Sequence, residues 1–171
     1  MEQPEFGPLL PAVSKDETRR VAVKLHEICI NHQLAVYLIN CIKENFPFLA
    51  RKYKLYADIE FNRRGINEKD VMINNESVVV RPDIIVHNRK DDADGFNFLV
   101  VECKKSVGSI DFENFVEDQN KIRVLMDGAG KYRYCFGLQV IYGDKAVCGK
   151  LFYHEPDGYK ITGEEMKKID L

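Results

Sequence analysis

The 171-residue chain has no tryptophan, no Cys-x-x-Cys pair and no excess of basic side chains, and each absence removes a class of function. Without tryptophan it lacks the aromatic platform expected of a two-carboxylate glycoside hydrolase. Lys plus Arg total 25 against 27 Asp plus Glu, a formal net charge of −2, which excludes the simplest basic nucleic-acid binder but not a local basic patch. Cys29, Cys41, Cys103, Cys135 and Cys148 are odd in number and lie mostly inside apolar runs. They are expected to be buried, reduced thiols in the cytoplasm. His26, His32, His87 and His154 have no ligand spacing relative to them, so zinc has little support. The longest uncharged stretch, Ile28 to Ile42, is broken by Asn31, His32, Gln33 and Asn40 and falls short of the roughly 20 apolar residues of a membrane span. Met1 to Pro11 carries Glu2 and Glu5 among prolines rather than a basic stretch followed by an apolar one, so no secretory signal and no membrane are expected.

What is present suits one α/β domain over residues 1–171, with 1–15 as an irregular lead-in, and 45% apolar residues suffice for a single core. Asp16 to about Asn45 repeats apolar residues at helical intervals (Val23, Leu34, Leu38, Cys41), with a possible break near Asn31 and a stop at Pro47. Leu55, Ala57, Ile59 and Phe61 alternate with polar residues, which predicts a half-buried strand followed by a polar loop at Arg63-Arg64-Gly65. Val78–His87 and Phe96–Lys104 are the strongest strand signals and form a hairpin. A helix capped by Ser109 or Asp111 and closed at Gly128 follows, then strands over Tyr132–Tyr142 and Ala146–His154 and a short charged end.

The hairpin carries the chemistry. With its turn centred between Asp92 and Ala93, Asp83 lies opposite Glu102 and Arg81 opposite Lys104. Side chains alternate along a strand, so Asp83, Glu102 and Lys104 share one face. The other face would be Val80, Pro82, Ile84 and Val86 against Leu99, Val101 and Cys103, an apolar surface that helices must cover. Two carboxylates paired about 5 Å apart repel and need compensation. A hard divalent cation with oxygen ligands, Mg²⁺ or Mn²⁺, supplies it; Lys104 alone is the competing explanation.

Arg81-Pro82-Asp83 followed by Glu102-Cys103-Lys104 resembles the PD-(D/E)xK motif of the restriction-endonuclease-like nuclease superfamily, and the element order resembles that superfamily's α/β core over about residues 16–142. The resemblance implies a restriction-endonuclease-like core, a central mixed β-sheet flanked by helices. A closer likeness is to small uncharacterised bacterial members. It is carried by Glu27, His32 and Leu34-Ala35-Val36-Tyr37-Leu38; by Asp58-Ile59-Glu60-Phe61-Asn62-Arg63; by Arg81 to His87; by Val100 to Ser106; and by Asp118, Lys121 and Tyr132-Arg133-Tyr134.

The resemblance implies that Asp83 and Glu102 bind Mg²⁺ or Mn²⁺ while Lys104 orients or activates water and offsets charge at the phosphorane. The superfamily often adds a glutamate from the first helix. Glu27 is the better candidate because it shares the apolar stripe, and a salt bridge at the helix edge is the alternative. Glu60 comes second, on a polar strand face where exposure is the ordinary outcome. His32 is an auxiliary candidate that packing explains equally, and Gln139 could place a water. Arg63, Arg64, Arg81, Lys105, Lys121 and Arg123 could form a phosphate-tracking rim, or be solvated surface. Tyr132 and Tyr134 permit base stacking, whereas Cys103 faces the core. The expected function is a metal-dependent phosphodiesterase, a nuclease acting on DNA, with RNA left open. The alternative is a non-catalytic module that keeps the fold to bind nucleic acid or protein. With no separate DNA-reading domain in sight, specificity would come from a homodimer or a partner.

Overall fold

The computed structural model describes residues 27–60, 63–64, 67–68, 70–73, 76–90, 95–106, 112–143, 145–158, 160–165 and 168–170. Helix α1 (Glu27–Asn45) turns Asn31, Ala35 and Ile42 inward, with Leu34, Leu38 and Ile39 widening the stripe. It runs unbroken through Asn31, and the expected helix before Glu27 lies outside the described residues. Pro47 does more than stop α1. It opens a second helix, α2 (Pro47–Tyr53), because the first helical position needs no N–H donor. Lys54, in the left-handed region at φ 51, closes α2 by donating to the Ala50 carbonyl.

Strands β1 (Tyr56–Ile59), β6 (Ile84–His87), β7 (Asn97–Lys105), β8 (Phe136–Tyr142), β9 (Ala146–His154) and β10 (Ile161–Glu165) lie side by side in that order, and β11 (Ile169–Asp170) also pairs with β9. The sheet is mixed: β7 and β8 are parallel and the remaining pairs antiparallel. Two small hairpins stand apart from it, β2 (Arg63–Arg64) with β3 (Asn67–Glu68) and β4 (Asp70–Ile73) with β5 (Glu76–Val79). Arg63 and Arg64 therefore begin a ladder where a plain loop was expected. A parallel pair needs a crossover, and here it includes a 3₁₀ turn (Phe112–Phe115) running into α3 (Val116–Met126). Residues 107–111, with the two expected caps, lie outside the described residues. Asp127 rather than Gly128 ends α3, its N–H reaching the Arg123 carbonyl.

Hairpin β6–β7 has the expected register, Ile84 opposite Val101 and Val86 opposite Leu99, with a shift beyond Val86 that brings His87 opposite Asn97. The strand foreseen over Val78–His87 is divided, however. Pro82 cannot donate to a ladder, and the chain leaves the β4 hairpin at Val79 before joining the central sheet at Ile84. Val80 consequently packs in the core on the α3 side, not with Ile84 and Val86.

Each face of the sheet has its own core. Ile84, Val86, Leu99, Val101 and Cys103 pack with α1 and α2, while Ile85, Val100, Ile122, Leu125, Met126 and Phe152 pack under α3. Gly137 sets the approach of α3 to β8: a Cβ there would lie 2.2 Å from Ile122 Cγ2 and 2.8 Å from Met126 Sδ. Gly137→Ala is expected to cost about 2 kcal/mol through overpacking, read as a lowered denaturant midpoint. An unchanged midpoint would mean that α3 shifts without penalty. Among the described residues no helix is long and apolar enough to cross a membrane.

Candidate active site

Because β6 starts at Ile84 while β7 continues to Lys105, the end of β7 passes beyond its antiparallel neighbour. Asp83 occupies the gap. Its Oδ2 accepts a hydrogen bond from the Cys103 backbone N–H at 2.7 Å, and its own carbonyl accepts from Glu60 N–H at 2.9 Å. The carboxylate thus caps a ladder that Pro82 prevents from continuing. Burial raises the Asp83 pKa and outweighs the opposing pull of that N–H and of Lys104 and Lys121; Asp118 adds to the rise.

Glu102 points from β7 to the α3 side, with its side chain only 2% exposed. Its Oε2 accepts from Lys121 Nζ at 2.9 Å. Its Oε1 is buried and has no hydrogen-bond partner among the described residues. Burial pushes the Glu102 carboxyl up to about 7 despite Lys121, and the charges of Asp83 and Asp118 push the same way. Lys104, two positions on, reaches over the same face. Its Nζ stands 3.8 Å from Asp118 Oδ1, its side chain is 41% exposed, and its charge acts on Asp83. Glu102 and Lys104 thus both reach the α3 side, as alternation requires, while Asp83 stands at the end of the ladder with its carboxylate on the Cys103 N–H, near enough for its charge to act on Glu102.

Helix α3 supplies what the strand pattern left out. Lys121, grouped with the phosphate-tracking side chains, is half-buried and engaged with Glu102, and it also lies 3.6 Å from Asp118 Oδ1. The three carboxylates Glu102, Asp118 and Asp83 hold its ammonium charged, raising its pKa against the effect of burial. The available signal was on α3 itself, where Asp118 and Gln119 interrupt the stripe that buries Ile122, Leu125 and Met126. A buried acid in a sheet-packing stripe calls for a cation.

Gln139 is Glu102's register partner on β8 and is completely buried. Its Nε2 donates to the Phe115 carbonyl at 3.1 Å, which fixes the amide so that Oε1 is the spare acceptor, without a partner among the described residues. Lys150, next across the sheet, donates to Gln119 Oε1 at 3.2 Å, and Gln119 Nε2 holds the Phe112 carbonyl at 2.9 Å. A polar row therefore crosses three neighbouring strands, β7, β8 and β9, beneath the 3₁₀ turn.

The other candidates lie elsewhere. Glu27 opens α1, which packs on the opposite face, and its charge acts on Cys103 and Tyr142. Exposed Glu60, at φ 47, pairs with Arg81 at 3.5 Å. His32 is exposed on α1. Arg81 and Lys105 are exposed, Arg123 lies over the Phe152 ring at 5.0 Å, and the side chains of Arg63 and Arg64 lie outside the described residues. Cys103 is fully buried on the α1 side, and burial raises its thiol pKa. Tyr132 and Tyr134 are buried as well. Arg133 between them adopts φ 51, and β8 starts only at Phe136, so the expected strand alternation is absent and neither ring is exposed for stacking. Among the described residues no three or more His, Cys, Asp or Glu side chains are arranged to hold a metal.

A second polar cluster lies where β1 meets the far end of β6. Asp58 Oδ2 accepts from His87 Nε2 at 2.9 Å and Arg89 Nε at 2.8 Å, and Arg89 Nη2 holds its other oxygen. Burial would raise the Asp58 pKa, but the hydrogen bonds from Arg89 and His87 outweigh it and leave the carboxyl below its usual range. A depressed carboxylate pKa contributes stability that is present above the unfolded value and lost as pH falls through the native one. Asp58→Asn is expected to cost about 2 kcal/mol near neutral pH. The gap from wild type should close as melts are taken into acid; a gap that stays constant with pH would assign the effect to packing. No family model and no curated protein matches the chain.

Proposed function

We propose that this chain is a divalent-cation-dependent nuclease with a restriction-endonuclease-like core, acting on DNA in the cytoplasm. The single observation that carries the reading is Glu102 Oε1, a carboxylate oxygen shut away from solvent without a partner among the described residues, on a side chain that feels the charges of Asp83, Asp118 and Lys121. Leaving a buried acceptor unmade costs about 1–3 kcal/mol, so the site has an unmet need for a cation or a proton donor. Mg²⁺ or Mn²⁺ fits the donor set, since Mg²⁺ commonly takes one or two carboxylates and completes its shell with water and substrate phosphate. Asp83 and Glu102 would hold it. When bound, such an ion lowers the pKa of water and offsets charge on a phosphodiester under attack.

The chain's own groups supply the rest. The Cys103 N–H orients Asp83 before any ligand arrives. Lys104, half-exposed at the rim of the gap, can meet a phosphate oxygen and hold a water by hydrogen bond. Gln139 Oε1 provides a fixed acceptor for a water proton one strand away. The antiparallel β6–β7 hairpin joined through a helical crossover to parallel β8, with helices on both faces, supports the superfamily reading.

Purified protein given Mg²⁺ or Mn²⁺ is expected to nick or degrade single- or double-stranded DNA, with RNA as the comparison substrate, and EDTA should stop it. Cleavage that survives EDTA, or no cleavage with either ion, would overturn the reading. One observation favours the alternative of a non-catalytic binding module: Lys121 already compensates Glu102 in part. Thermal melts separate the two. An ion at about 100 times its Kd stabilises by about 2.7 kcal/mol, so the nuclease should melt higher with Mn²⁺ and Asp83→Asn should not, whereas the module should not respond. Specificity would then come from a second copy or a partner protein.

A further inference from the structure

We infer that Lys121 is a tethered stand-in for the divalent cation, occupying the Glu102 seat until an ion displaces it. The inference rests on the cation-dependent reading above and adds a built-in threshold to it. Two independent observations carry it. Lys121 Nζ sits 2.9 Å from Glu102 Oε2 on a carboxylate that is otherwise buried, so the ammonium takes one of the two oxygens a metal would use. Glu102 Oε1, the other oxygen, has no hydrogen-bond partner among the described residues, which leaves the seat half filled.

The same helix provides somewhere for the displaced amine to go. Asp118, one turn earlier on α3, already lies 3.6 Å from Lys121 Nζ and 3.8 Å from Lys104 Nζ. Rotation of the long, flexible lysine stem would carry the ammonium from Glu102 to Asp118 without moving the helix. An ion that takes both oxygens of Glu102 must therefore break a short, half-buried ion pair. At low ion concentration Glu102 stays paired and the site stays closed.

The exchange is tested with Mn²⁺ alone, without nucleic acid. In the wild-type protein, acetylation of Lys121 by an amine-reactive reagent, followed by mass spectrometry, is expected to rise severalfold when Mn²⁺ is added. Asp83→Asn should show no such rise. Calorimetry of Lys121→Gln, which retains an amide donor for Glu102, should give Mn²⁺ affinity about tenfold tighter than wild type, because a nearby positive charge is gone. Mn²⁺ that raises the wild-type melting temperature but leaves Lys121 labelling unchanged overturns the inference while the nuclease reading stands. Weaker Mn²⁺ binding by Lys121→Gln does the same, since the lysine would then be organising the site. If Mn²⁺ has no effect on the melting of wild type, both fall together. The labelling arm uses only the native lysine, so the inference stays testable even if Lys121→Gln does not fold.

Discussion

Glu102→Gln is expected to make the protein more stable and unable to cleave. Burial holds the native carboxyl near 7, against an ordinary value of 4.5. A raised acid pKa means that the native state keeps a proton which the unfolded state releases, so the stabilisation is complete below the unfolded value and is lost as pH rises through the native one. Above about pH 7 the charged side chain is a net burden of about 3 kcal/mol, from roughly 1.4 kcal/mol per pH unit across that interval. Glutamine removes the charge, keeps the shape and still offers Lys121 an acceptor. In EDTA at about pH 8 the variant should melt on the order of 8 °C higher than wild type, and at about pH 4 the two should coincide. An advantage that persists in acid would mean that packing, not charge burial, is responsible. Cleavage should fall by at least about 10²-fold, the opposite sign to stability and the pattern of a group retained for chemistry at a cost to the fold.

Lys104→Ala separates the two effects in another way. The side chain is 41% exposed and its nearest carboxylate is 3.8 Å away, a geometry that contributes little to stability. Its removal should leave the denaturant midpoint within about 0.5 kcal/mol of wild type. If Lys104 meets the phosphate and holds the water, cleavage should nevertheless drop about 10²-fold or more, with Mn²⁺ affinity little changed because Lys104 is not a ligand. Retained cleavage would pass the role to Lys121, the ammonium that pairs with Glu102. A large loss of stability would show that the Asp118 contact is structural.

The hairpin was legible because two local rules sufficed for it. Alternation put Glu102 and Lys104 on one face, and the expected register set Ile84 opposite Val101, which brings the preceding Asp83 to the end of the ladder beside Cys103 and Glu102. Pro82 was visible too, but its effect was underestimated. A missing N–H divided the foreseen strand and opened the gap in which Asp83 caps Cys103. The alternation of Tyr132, Arg133 and Tyr134 misled, since Tyr134 N–H bonds the Leu125 carbonyl and Cys135 N–H bonds the Asn97 carbonyl, tying this segment down as irregular chain. A pattern of period two has no means of registering such long-range ties.

Local order in the chain, by itself, determined the α/β class, the hairpin register and the common face of Glu102 and Lys104, because strand geometry depends on immediate neighbours and on turn length. Only the tertiary structure decided that α3 sets Lys121 and Asp118 over that face, that Glu27 stays on the other side of the sheet, and that one oxygen of Glu102 is sealed in without a partner among the described residues. Those outcomes depend on how closely a helix approaches a sheet across many intervening residues, and so on packing at Gly137 and Ile122 rather than on any spacing along the chain.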